Sequence, residues 1–108
     1  MVIGALRLTF LVPPDGKSTR SVAHKIKDHL WSKFKVSLAE VPTGTSSGGE
    51  LVIGLALASP EEKLTRQRLD EIVRHLHEWG GAELVHDDSE VIRFDDLEME
   101  RDFEKYNP

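Results

Sequence analysis

The chain has 108 residues, 39% apolar and 31% charged, a size and balance suited to one domain around one core. It has no cysteine, which excludes disulfide frameworks, thiolate metal sites and cysteine nucleophiles. Its formal net charge of −5 weighs against a dedicated nucleic-acid binder.

Val2 to Val12 alternates, with Val2, Leu6, Leu8, Phe10 and Val12 on one face and Arg7 and Thr9 on the other. Period two marks a half-buried strand and argues against a signal peptide. Pro13, Pro14, Asp15 and Gly16 end it. Ser18 is placed to cap a helix whose Val22, Ile26, Leu30 and Phe34 recur every four residues. Val36 to Val41 reads as the second strand, and Thr43 to Gly49 as a flexible connection. In the third strand, Leu51, Ile53, Leu55 and Leu57 share one face, and Val52, Gly54, Ala56 and Ala58 share the other. This is also the longest apolar run, far short of the roughly 20 residues that cross a bilayer, so no membrane contact and a cytoplasmic address are expected.

Ser59-Pro60-Glu61-Glu62 opens a second helix as cap, first-position proline and capping-box glutamate. Leu69, Ile72, Val73, Leu76 and Trp79 line its buried side, and Gly80 stops it. Glu83 to Phe94 is the fourth strand, with Asp87-Asp88-Ser89 as a bulge or a short hairpin. The order βαββαβ predicts two right-handed split βαβ units. That is an α+β, ferredoxin-like sandwich: a four-stranded antiparallel sheet with both helices on one face. One domain is expected over residues 1–95, followed by an acidic tail, residues 96–108, as a short helix or disordered.

Three segments carry a family resemblance: VIGALRL at the start, a basic first helix ending KFKVSLAEV (Lys33 to Val41), and LVIGLALAS (Leu51 to Ser59). In these the chain resembles the YlxP-like family, small bacterial proteins of unassigned function. KFKVSLAEV is the specific part. Members are often encoded among translation and ribosome-maturation genes, so the resemblance implies a link to translation. Lys17 and Arg20 match the basic run that opens the family's first helix, while Thr19 stands where a lysine is usual. TGTSSGG replaces the family's aspartate-leucine-tryptophan segment.

Charge is unevenly distributed. Lys17, Arg20, Lys25, Lys27, Lys33 and Lys35 meet only one acid, Asp28, in the first helical stretch, and acids crowd the C-terminal end. Gly16-Lys17-Ser18-Thr19 ends like a phosphate loop, yet Leu11 stands where the first glycine belongs, and Pro13 and Pro14 lack N–H donors. What remains is a helix start flanked by Lys17 and Arg20, where a phosphate or carboxylate fits. His24 and His29 are five apart, and His75 and His77 two apart, so neither pair has zinc spacing. They read as surface histidines. No nucleophile motif occurs, so neither an enzyme nor a cofactor or metal is expected.

RNA recognition on the open face of this fold uses aromatics, and that face offers none on its central strands. RNA contact is therefore expected through phosphates and the basic helix, by Lys17, Arg20, Lys25, Lys27 and Lys33. The open face itself, with Ile3, Ala5, Val52, Ala56 and Ala58, is small and apolar, a surface that wants a cover. A homodimer or the docked tail, through Met99, Phe103 and Tyr106, supplies one. The expectation is a non-catalytic binding module linked to translation, contacting RNA, the ribosome or an acidic protein through helix 1. The alternative is a protein–protein adaptor or homodimer working through the sheet.

Overall fold

In a computed structural model of the chain, which describes residues 1–13, 16–42 and 49–94, the opening alternation forms strand β1 (Val2–Leu11). It is followed by α1 (Gly16–Phe34), β2 (Ser37–Glu40), β3 (Glu50–Ser59), α2 (Glu62–Trp79) and β4 (Glu83–Arg93). The strands form one antiparallel sheet in the order β2-β3-β1-β4. β1 and β3 pair along their whole length, from Val2 opposite Ser59 to Leu11 opposite Glu50. The fold is ferredoxin-like.

The core lies between the sheet and the helices. Leu6, Leu8 and Phe10 of β1 meet Ile53 and Leu55 of β3, Ile26 and Leu30 of α1, and Leu69, Ile72 and Leu76 of α2. Each such side chain contributes roughly 1.5–3 kcal/mol on burial. Phe34, Leu38 and Val73 are only half-buried at its margin. Gly4 is the point of closest approach for α2: a Cβ there would lie 2.5 Å from Thr65 Cγ2.

Four local readings are corrected. α1 begins at Gly16, so Ser18 lies inside its first turn, and the Thr19 hydroxyl donates to the Pro13 carbonyl at 3.2 Å. The buried stripe of α1 is Ala23, Ile26 and Leu30, with Val22 half-buried. A strict four-residue step drifts about 40° per turn, so the ends of that row rotate off the interface. α2 is capped at Glu61, in extended conformation and without a side-chain cap bond. Ser59 instead closes a small turn, accepting from the Glu61 N–H at 3.3 Å and donating to the Glu61 carbonyl at 3.2 Å.

The fourth correction is in β4, which runs unbroken through Asp87-Asp88-Ser89. Its bulge falls at Val85, because Thr9 pairs with His86 whereas Phe10 pairs with Leu84. The extra residue puts Leu84 in the core and His86 on the open face, although strict alternation would place both alike. The expected tail and the TGTSSGG connection fall mostly outside the described residues.

Candidate functional site

α1 does not gather its basic residues on one surface. Lys25 and Lys27 are two positions apart, about 200° around a helix. Lys25 accordingly sits over Trp79 of α2, 5.8 Å from the ring centroid, while Lys27 on the opposite flank bonds Glu40 of β2 at 2.9 Å. Arg20 is exposed near the helix start, and the side chain of Lys17 lies outside the described residues. Lys33 lies in the last turn, its Nζ 5.7 Å from the Phe34 ring.

The structure does bring cations together at the other end of α1. Lys35 ends the helix in the left-handed region, at φ 54, with its N–H bonded to the Trp31 carbonyl at 3.0 Å. This tight exit sends the chain straight into β2, which is only four residues long beside the ten of β3. Pairing stops at Ser37 opposite Ala56, so among the described residues Leu57 and Ala58 have no strand beyond them on that edge. The gap is a groove of about 380 Å³, lined by Lys33, Lys35 and Arg68 around Leu57 and Ala58, with no acid among the described residues of its lining. Trp31, 56% exposed, stands beside it with Lys35 Nζ 5.4 Å from its ring centroid.

Three cations around a partly enclosed apolar floor create a local positive potential, which a low-dielectric wall strengthens. Arg68 escaped the sequence reading because it belongs to α2, and only the tertiary fold carries it to the end of α1. Trp31 was hidden because this fold usually offers stacking aromatics on the sheet face, whereas Trp31 belongs to α1. The visible signal was WSKFK itself, an aromatic and lysines at the end of a helix.

A second unforeseen cluster joins the helices. His29 and His75 are half-buried, not simply surface residues as their spacing suggested, and their Nε2 atoms lie 2.7 Å apart. His29 stacks on Trp79 at 4.0 Å, and Phe34 meets His75 edge-on. One proton shared between the two imidazoles makes this bond, so a doubly protonated pair cannot keep it. Burial, then His75 and Lys33, hold the His29 imidazole below its ordinary value of 6.5. Among the described residues no three ligating side chains converge on a metal position.

The open face carries Ile3, Ala5, Val52, Ala56 and Ala58 as its alternation required, but β4 adds charge to it. Ala5 faces Glu90, Arg7 faces Asp88 and Thr9 faces His86. Arg7 bonds Asp88 at 2.9 Å and holds its carboxyl below the usual range, and His86 lies 3.2 Å from the same oxygen. Val52 is already 9% exposed within the single chain. The charge is thus confined to the β4 side of the face, whereas Ala5, Ala56, Gly54 and Ala39 keep the β1–β3–β2 side apolar, and at one end Ile3 is flanked by Ala58 and Ile92.

No helix among the described residues is long and apolar enough to cross a membrane. No curated protein is significantly similar to the chain. A family match covers residues 3–88, from the apolar end of β1 through Asp88, and so includes the groove, the histidine pair and most of the open face. On that match the chain belongs to the family described as Protein of unknown function (DUF503).

Proposed function

We propose that this protein is a non-catalytic module that binds RNA through phosphates at the groove closing α1, in the setting of translation implied by its resemblance to YlxP-like proteins. The observation that carries the reading is the convergence of Lys33, Lys35 and Arg68 on one groove with no acid among the described residues of its lining. Trp31 beside it favours RNA over an acidic protein, since an exposed indole offers a stacking surface to a base. Lys35 adds to this: a lysine occupies a left-handed position where glycine is preferred. The charged row Arg7, Asp88 and Glu90 weighs against a dimer that buries the whole open face.

Fluorescence anisotropy with single-stranded RNA at several salt concentrations tests this. Replacing Lys33, Lys35 and Arg68 with alanine together removes three phosphate contacts, lowering the slope of log affinity against log salt by about 2. Trp31→Ala weakens binding by roughly 1–3 kcal/mol with the slope nearly kept. Lys17→Ala/Arg20→Ala leaves the groove intact and measures any share of the helix start. Absence of RNA binding by the wild type at low salt overturns the proposal, and binding of acidic peptides alone reassigns the groove to a protein partner.

A further inference from the structure

β4 delivers the chain to the end of the sheet that holds the groove. The Phe94 N–H bonds the Met1 carbonyl at 2.9 Å, and the register sets Val2 opposite both Arg93 and Ser59. On the open face at this end, Ile92, Ile3 and Ala58 stand side by side across three strands. Ile92 is 47% exposed, and Phe94 and Met1 are 44% exposed. Ala58 belongs both to this row and to the groove of Lys33, Lys35 and Arg68. An apolar path therefore leads from the exit of β4 to a basic pocket.

Residues 95–108 match that path in composition. Their acids are Asp95, Asp96, Glu98, Glu100, Asp102 and Glu104, against Arg101 and Lys105, and Leu97, Met99, Phe103 and Tyr106 are interspersed. Strands lie about 4.8 Å apart and β1 alone separates β4 from β3, so β3 is roughly 10 Å from β4. About three extended residues span that distance, and fourteen follow Phe94. Linkage within one chain also gives the contact a high effective concentration.

We propose that the C-terminal segment of the same chain docks across Ile92, Ile3 and Ala58 and presents its carboxylates to Lys33, Lys35 and Arg68. Occupied this way, the groove is self-masked, and RNA must displace the segment to enter it. That consequence rests on the RNA reading above, whereas the docking itself does not.

The chain has no native cysteine, so Glu104→Cys accepts a single nitroxide spin label in the full-length protein. The label is expected to reduce the amide signals of Ile3, Lys35 and Ala58 at least severalfold, while Leu51 and Val85 at the far end of the sheet keep theirs. Replacing Asp95, Asp96 and Asp102 with asparagine and Glu98 and Glu100 with glutamine should abolish the loss. Unchanged signals at Ile3, Lys35 and Ala58 overturn the proposal. So does a loss seen only when label and isotope reside on different molecules, which assigns the surface to a second copy. If the segment fills the groove nine-tenths of the time, neutralising all six acids tightens RNA binding roughly tenfold. Signal loss without RNA binding by any variant sinks the RNA reading and leaves the docking standing.

Discussion

At the scale of single residues, Lys35 is the clearest departure from what local preference favours. It is the one non-glycine residue with positive φ among the described residues, at 54°. α2 ends on Gly80 at φ 74, where the missing Cβ removes the steric cost. α1 accepts that cost and gains a cation at the groove. Lys35→Gly should therefore stabilise the fold by about 1 kcal/mol in urea unfolding while weakening RNA binding. A loss of stability would show instead that the lysine's stacking on Trp31 outweighs its backbone strain. None of this was legible in the sequence, since KFKVSLAEV reads as a helix running into a strand and hides the left-handed residue between them.

Among elements, the packing of α2 on β1 depends on Gly4. Thr65 is fully buried above it, and its hydroxyl donates to the Glu61 carbonyl at 2.9 Å, which holds the side chain in place. A methyl group at position 4 would meet Thr65 Cγ2 at 2.5 Å and Leu69 at 3.1 Å. Gly4→Ala should accordingly cost roughly 1–3 kcal/mol, the range for overpacking a filled core. A loss below about 0.5 kcal/mol in chemical denaturation would mean that α2 lifts freely from the sheet. The existence of α2 and its face were readable from Leu69, Ile72 and Leu76. Its distance from β1 was not, because a glycine inside an alternating strand names no partner.

For the whole molecule, stability should depend on pH through the seam between the helices. His29, which stacks on Trp79, is held below 6.5 in the folded chain by burial first and then by His75 and Lys33. The unfolded chain therefore binds the proton more readily. The contribution of His29 is complete above pH 6.5 and is lost as pH falls through that value toward the lower folded one. Melting curves between pH 7.5 and 5 should show the wild type losing more stability than His29→Phe, which keeps a stacked ring and removes the titrating nitrogen. Parallel losses in the two proteins would remove the histidine pair as the cause. The same seam illustrates why sequence spacing misled: five and two residues exclude a ligand pair within one helix, but say nothing of a pair between two.

The sequence by itself determined the element order, the central place of β1 and β3, and most of the core. Those follow from periods of two and near four, which depend only on backbone geometry, and from topological rules that leave few ways to join such elements. It also marked the basic character of α1 and the open-face row of Ile3, Ala5 and Ala58. Only the tertiary structure decided which cations meet. Lys27 was drawn to Glu40 and Lys25 to Trp79, while Arg68 arrived from a helix more than thirty positions away. Charge in a sequence is a count along a line; a site is a set of distances, and those are set by the packing of α1 and α2 on the sheet.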